Sequence, residues 1–170
     1  LTEPEFEKSM NLAGRALTEY VLFRQKTIDR LKKIDKKDRE SEIPNILVPM
    51  KRILRSGDFS QDIYINNTWI LDDKFMTYST VLSDMEITDL LRELTKGEVI
   101  KDDDRPDIAI IFSDDPKTTE KFDVVIVELK RKGLKPEDNV RVEVQLEKRA
   151  RGLYGLYPGK VQSLWLYGVV

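Results

Sequence analysis

The sequence predicts an α/β domain with a mixed central sheet flanked by helices and an N-terminal helical region ahead of it. Three observations predict this fold class. Apolar side chains recur at helical spacing over residues 4–35. Two β-branched runs, 107–112 and 123–129, have almost no polar interruption, as buried strands require. Residues 138–152, of helical character, separate the second run from another apolar run at 161–169.

The first forty residues are predicted to form the helical region, and residues 41–170 the α/β core. Pro4 suits the first turn of the long N-terminal helix. A second helix is expected to start near Ser41 and to end at Ser56-Gly57-Asp58, with Pro49 as a site where it kinks or splits.

Three features are predicted between this helix and the first buried run. A short strand is expected at 68–72 (TWILD), after the turn-forming pair Asn66-Asn67. Residues 84–95 are expected to form a helix that Asp84 caps and Gly97 closes. The acidic residues 102–104 are interpreted as a solvated loop.

The buried runs are predicted to form an antiparallel hairpin, because the segment between them contains proline and several turn formers. A strand–helix–strand crossover would then place residues 161–169 parallel to 123–129. The sheet is therefore expected to be mixed.

The composition narrows the chemistry that this chain can perform. It contains neither cysteine nor histidine, and its formal net charge is −2. Disulfides, thiolate and histidine metal sites, and Ser-His-Asp catalysis are thereby excluded. Any catalysis must use carboxylates, lysine, hydroxyls or a hard, oxygen-bound cation such as Mg²⁺ or Mn²⁺. No signal peptide and no run long enough to span a membrane is present, so we expect a cytoplasmic protein with no membrane partner.

Charged residues gather where the two buried runs are expected to meet. Glu128 and Lys130 lie two apart near the end of an apolar strand, so they point to the same face. Asp107 begins the preceding strand, and hairpin pairing would bring it beside them. Two neighbouring carboxylates repel unless a divalent cation lies between them, and a nearby lysine can orient water or stabilise charge on a phosphate. This combination predicts metal-dependent hydrolysis of phosphodiesters, with Asp107 and Glu128 as metal ligands.

The next predicted helix presents one basic face. Arg141, Gln145, Lys148 and Arg149 share it. We expect Gln145 to hydrogen-bond the attacking water or a backbone phosphate, and its basic neighbours to neutralise phosphates. Nine basic and five acidic residues lie between Glu128 and Val170. A solvated face explains the basic helix equally well, and Glu-x-Lys alone also fits an ion pair at a sheet edge.

At these residues the sequence resembles the PD-(D/E)XK nuclease superfamily. The motif stands here as Pro106-Asp107 followed by Glu128-Leu129-Lys130. The resemblance implies a restriction-endonuclease-like core, Mg²⁺- or Mn²⁺-dependent cleavage of nucleic acid with DNA as the expected substrate, and Lys130 as the catalytic lysine. It also implies a role for Gln145 and for an acid on the first core helix, for which Glu42 is the candidate, with Asp72 and Asp73 competing.

A wider resemblance covers EYVLFRQKTIDRL, NILVPM and NNTWILDDKF. These segments are similar to the C-terminal regions of bacterial proteins that carry a gyrase B/Hsp90-type ATPase domain. The resemblance implies that the chain is the effector part of an ATP-regulated protein that defends against phage. One hypothesis is that the helical region pairs with a second copy to form a homodimer. The alternatives are a nuclease-like module that binds DNA or a protein without cutting, and a structural dimerisation module.

Overall fold

The computed structural model describes residues 2–35, 38–39, 41–55, 64–78, 80–86, 89, 105–113, 120–130 and 136–169. The chain divides into two compact units, Leu1–Ile34 and Asp35–Val170. The first unit is the helix α1 (Glu3–Lys33), which confirms the predicted N-terminal helix. Pro4 lies in its first turn, and Glu5 Oε2 accepts a hydrogen bond from Thr2 N at 2.8 Å. Pro4 has no N–H group that would lack a partner in the first turn, and the Glu5 carboxylate accepts from the N–H group of the residue that precedes the helix.

The second unit is a five-stranded sheet with helices, so the coarse α/β class is confirmed. Its elements in chain order are α2 (Glu42–Leu47), β1 (Arg52–Arg55), β2 (Thr80–Ser83), β3 (Ile108–Phe112), β4 (Phe122–Leu129), α3 (Pro136–Leu156) and β5 (Val161–Val169). Within the part of the chain that is described, no helix has the length and apolar character needed to cross a membrane.

The strands lie in the order β1-β2-β3-β4-β5, and only β4 and β5 run parallel. The predicted hairpin is confirmed: Ile108 pairs with Val127, and Phe112 with Asp123. The predicted parallel crossover through α3 is confirmed as well. β3 and β4 lie inside the sheet and are covered on both faces, which explains why their sequences are continuously apolar rather than alternating.

Side-chain alternation divides the core between two faces of this sheet. On what we call the α3 face, Ala109, Val124 and Ile126 pack against apolar residues of α3. On the opposite face, the α2 face, Ile110 and Val125 pack against residues around α2. Even-numbered β4 residues therefore face α3, whereas odd-numbered ones face α2.

The predicted second helix is wrong beyond its first turns. α2 ends at Leu47, and Arg52–Arg55 form strand β1. Val48 has an extended backbone (φ −147°, ψ 130°), as a residue that precedes proline prefers. Pro49 therefore ends the helix instead of kinking it, and the chain turns into the sheet.

The predicted strand at 68–72 is also wrong, because Thr68–Ile70 form a 3-10 helix. Asn66 Oδ1 accepts hydrogen bonds from Thr68 N at 3.0 Å and from Thr68 Oγ1 at 2.7 Å. These local bonds compete with a strand ladder. The neighbour of β3 on this side is β2 instead, only four residues long, which the sequence did not reveal.

Asp84 does not cap a helix. It follows β2 with a positive φ of 49°, and its N–H donates to Asp107 O at 3.0 Å. Met85 and Glu86 are not helical, whereas Asp89 is, and the rest of the helix predicted at 84–95 lies outside the described residues. The acidic segment 102–104 lies outside them too.

Gly168 allows α3 to approach the sheet. A Cβ at this position would lie 2.7 Å from Val142 Cγ1. We therefore expect Gly168→Ala to lower the free energy of unfolding by about 1–3 kcal/mol, measured by urea denaturation. Gly155→Ala is the matched control, since no atom lies within 4 Å of its added Cβ. Helix propensity should make that variant about 0.5–1 kcal/mol more stable. Equal effects at both positions would contradict the close approach.

Candidate active site

The predicted trio comes together at one end of the central strands. Pairing of Ile108 with Val127 places Asp107 opposite Glu128. Asp107 Oδ2 accepts a hydrogen bond from Leu129 N at 2.7 Å, so this carboxylate reaches the end of β4. Asp107 and Lys130 both act electrostatically on Glu128. The juxtaposition follows from the hairpin register, as the sequence predicted.

Backbone hydrogen bonds hold this end of the sheet in place. Lys130 N donates to Val169 O at 2.9 Å, which extends the parallel pairing one residue past β4. On the other side, Asp107 O accepts from Asp84 N. The three site residues thus lie on segments whose main chain is fixed, as a preorganised site requires.

Glu128 is buried on the α3 face and forms an ion pair with α3. The residue is only 2% exposed, and its Oε1 lies 2.6 Å from Arg149 Nε. The two groups are close but not aligned for a hydrogen bond, so Glu128 Oε1 and Arg149 Nε and Nη1 remain buried without hydrogen-bond partners. A buried ion pair with unsatisfied atoms is costly, which marks this as a place where another group could be accommodated.

The surroundings of Glu128 favour its neutral form. Burial raises the pKa of this carboxyl from 4.5 to about 7, against the lowering effect of the Arg149 guanidinium. The Asp107 carboxylate adds to the rise, and the Lys130 ammonium opposes it. Protein charges alone therefore do not fully stabilise the Glu128 carboxylate, and additional positive charge there would favour ionisation.

The donor set fits a hard divalent cation. Two carboxylates meet at the strand end, although Arg149 Nε lies 2.6 Å from Glu128 Oε1 and competes with a cation for this oxygen. Mg²⁺ is commonly bound through one or two carboxylates, with waters and substrate phosphates completing its coordination. Asp107 and Glu128 would hold such an ion. Among the described residues no group of three acidic side chains is placed to bind a metal, so these two would be the side-chain ligands.

Among the described residues, the other acidic candidates do not form a three-carboxylate group with this pair. Glu42 is exposed at the first residue of α2, whose apolar residues cover the opposite face of the sheet. It is not gathered with Asp107 and Glu128 as a third carboxylate. Asp72, its competitor, accepts from Lys74 N at 3.0 Å. Gln145 is exposed on α3, one turn before Arg149, and its expected role stays a prediction.

Arg149 has a different place from the one predicted. It was expected on the basic face with Arg141 and Lys148, but it is buried, whereas those two are exposed. Its spacing could have revealed this. Positions 142, 146, 149 and 153 follow i, i+4, i+7 and i+11, the stripe by which α3 packs on the sheet. A charged residue within an apolar stripe indicates a buried partner, here Glu128.

Comparisons with protein-family models, with curated proteins and with solved structures found no significant match to this chain. Its chemistry therefore has to be inferred from its own side chains. The convergence of Asp107, Glu128 and Lys130 on one face is the feature with the most specific chemistry.

Proposed function

We propose that the chain is a metal-dependent nuclease of the PD-(D/E)XK type with a restriction-endonuclease-like core. The observation that carries this proposal is the meeting of two carboxylates and a lysine at the end of β4, without any histidine or cysteine in the chain. Few other chemistries use only these groups. Hydrolysis of a phosphodiester by a hard cation and a lysine is one that does.

Each residue has a role in the proposed reaction. Asp107 and Glu128 bind Mg²⁺ or Mn²⁺ through carboxylate oxygens. When bound, the cation supplies Lewis acidity at the scissile phosphate. Lys130 orients the attacking water and neutralises charge that develops on the phosphate. Arg149 holds the Glu128 side chain at the strand end through the short ion pair.

The substrate we propose is DNA. Arg141 and Lys148 are exposed on α3 and supply positive charge for backbone phosphates, while Gln145 between them offers an amide. The wider sequence resemblance supports an effector role in defence against phage, within a parent protein that carries the ATPase domain.

Cleavage of plasmid and linear DNA with Mn²⁺ or Mg²⁺ tests the function. The wild-type chain should cut only with the metal, and Glu128→Gln should not cut, because the amide is a poor ligand for a hard cation. Glutamine keeps the shape of the buried side chain, whereas alanine would leave a cavity beside Arg149. Glu137→Gln, at an exposed position of α3, is the matched control and should cut normally. Equal cleavage by Glu128→Gln would refute the site.

A second candidate function is binding of DNA without cleavage. The ion pair with Arg149 favours it, because a guanidinium 2.6 Å from Glu128 already supplies positive charge where the cation would bind. In that case the chain would bind DNA with or without Mn²⁺ and would never cut. Gel-shift and cleavage assays on the same preparation distinguish the two functions.

We also propose that α1 pairs with a second copy. Phe6, Met10, Leu17 and Val21 form an apolar stripe on α1, each more than half exposed within the chain. Residues 1–10 carry three Glu and one Lys, whereas residues 24–33 carry five basic residues and one Asp. Antiparallel pairing of two α1 helices would set these opposite charges side by side.

Light scattering tests this pairing. The wild-type chain should be a dimer, and Leu17→Glu should be a monomer because a charge would enter the apolar stripe. Leu12→Glu is the matched control, since Leu12 is equally exposed but lies on another side of α1, and it should remain dimeric. A monomeric wild-type chain would contradict the proposal.

A further inference from the structure

A separate cavity lies on the α2 face, at the opposite end of β4 from Glu128. It has a volume of about 230 Å³ and is lined by Lys74, Phe75, Thr77, Phe112, Asp123 and Trp165. Glu128 lies five positions after Asp123 along β4, about 17 Å of extended strand, and the two side chains point to opposite faces. This cavity is therefore distinct from the proposed nuclease centre.

Asp123 makes this cavity more than a packing defect. The residue pairs with Phe112 at the loop end of the hairpin, and its Oδ1 is buried without a hydrogen-bond partner. A buried acceptor without a donor costs free energy unless a ligand or water supplies one. Apolar ring surfaces from Phe75, Phe112 and Trp165 surround it. An acceptor among aromatic rings favours a flat ligand with N–H donors on its edge.

A β-bulge shapes the opening of this site. The register between β4 and β5 shifts at Phe122/Asp123, so that Phe122 pairs with Val161 and Asp123 with Ser163. Gln162 is the additional residue that this shift leaves over. It lines a second, more open cavity of about 470 Å³ that shares Thr77, Phe112 and Asp123 with the first. Bulges commonly re-aim side chains beside functional sites.

The charges around the two cavities indicate what the ligand carries at its other end. Lys74 Nζ lies 5.1 Å from the Phe75 ring and 5.7 Å from the Trp165 ring, and Lys121 lines the open cavity. A cation already lies near these rings, so a cationic ligand would be repelled. The Lys74 ammonium already forms an ion pair with Asp72 Oδ2 at 3.1 Å, so Lys121 is the lysine that favours an anionic group, such as a phosphate, in the open cavity.

We propose that these joined cavities bind a guanine nucleotide. The guanine ring would occupy the inner cavity and donate its adjacent N1–H and N2–H to the Asp123 carboxylate, while the phosphate would lie in the outer cavity near Lys121. Adjacent donors suit the two oxygens of one carboxylate. Uracil fits poorly, because carbonyl oxygens flank its single N–H and would face the carboxylate. The inner volume, below the roughly 300–1,000 Å³ of sites for drug-sized ligands, suits one ring system.

Calorimetric titration of the full chain with GMP, in EDTA so that no divalent cation takes part, tests this site. GMP should bind, and UMP should bind at least about tenfold more weakly. Asp123→Asn should weaken GMP binding about tenfold or more, because an amide cannot accept both donors. Glu120→Gln, a matched change at an exposed position near the start of β4, should leave the affinity unchanged.

One further variant distinguishes recognition of the phosphate from recognition of the base, and a second distinguishes the nucleotide site from the nuclease centre. Lys121→Gln should weaken GMP about two- to fivefold but leave guanosine unchanged, since only GMP carries the phosphate. Glu128→Gln should bind GMP like the wild type, so the result does not depend on nuclease activity. No binding of GMP, equal binding of UMP, or equal affinity in Asp123→Asn would each overturn the nucleotide site. None of these outcomes would bear on cleavage of DNA.

Discussion

Replacing Lys130 by alanine should lower metal-dependent DNA cleavage by about 10²–10⁴-fold while leaving the fold and metal binding intact. Lys130 follows the last residue of β4 and lies on the face of Glu128, so its ammonium is placed to act on a phosphate held there. The two proposed metal ligands keep their carboxylates in this variant. Cleavage rates and Mn²⁺ affinity, measured on the same sample, therefore separate the role of Lys130 from metal binding.

A lysine at the other end of the same strand provides the control. Lys121 is exposed and precedes Phe122, the first residue of β4. Lys121→Ala removes the same charge from the chain but should retain full cleavage, because it lies far from Asp107 and Glu128. If Lys130→Ala still cuts at the wild-type rate, the lysine is not catalytic. If it loses Mn²⁺ affinity together with cleavage, Lys130 supports the metal site rather than the reaction.

The sequence predicted the centre of the sheet well because burial on both faces leaves a strong pattern. Continuously apolar strands, such as β3 and β4, can lie only inside a covered sheet. Once these two are paired as a hairpin, the position of Asp107 beside Glu128 follows from register alone. The part of the site that depends on the pairing of β3 with β4 was therefore predictable from the sequence.

The outer parts of the sheet were not predictable in the same way. β1 and β2 have four residues each, too few for a period to be visible. Around Trp69 the pattern suggested a strand, but Asn66 Oδ1 accepts a hydrogen bond from Thr68 N and Asn67 Oδ1 accepts one from Trp69 Nε1, and such local bonds favour a turn. Such bonds depend on which rotamer a side chain adopts, which residue spacing does not encode.

Arg149 is the residue of the site that the sequence predicted least well. Its charge suggested phosphate binding, but its position in the packing stripe of α3 brings it to Glu128. The basic charge predicted an exposed residue and the position in the apolar stripe predicted a buried one, and the residue is buried. The site therefore contains a fourth charged group besides the two carboxylates and the lysine, because the buried Arg149 guanidinium forms an ion pair with Glu128 and competes with a cation for that carboxylate.

Replacing Arg149 by methionine should lower the free energy of unfolding by about 3–5 kcal/mol well above pH 7, where Glu128 has to be ionised without its partner. The substitution leaves Glu128 buried, without its ion-pair partner and beside the Asp107 carboxylate. Methionine fills much of the space, so the loss reflects charge rather than a cavity. Urea denaturation measures it. Arg151→Met is the control: its ion pair with Glu147 is exposed, so that variant should change stability by less than about 1 kcal/mol.

The destabilisation of Arg149→Met should depend on pH and on metal in defined directions. The pKa of Glu128 is already raised to about 7, and loss of the lowering effect of Arg149 raises it further. A raised folded-state pKa gives stability that is present below 4.5, the unfolded value, and is lost as pH rises through the folded value. The deficit should therefore be small near pH 4.5 and grow above pH 7.

Mn²⁺ should restore stability in Arg149→Met more than in the wild type, because the cation replaces the missing positive charge between Asp107 and Glu128. A deficit that Mn²⁺ does not change would show that the two carboxylates do not hold the cation.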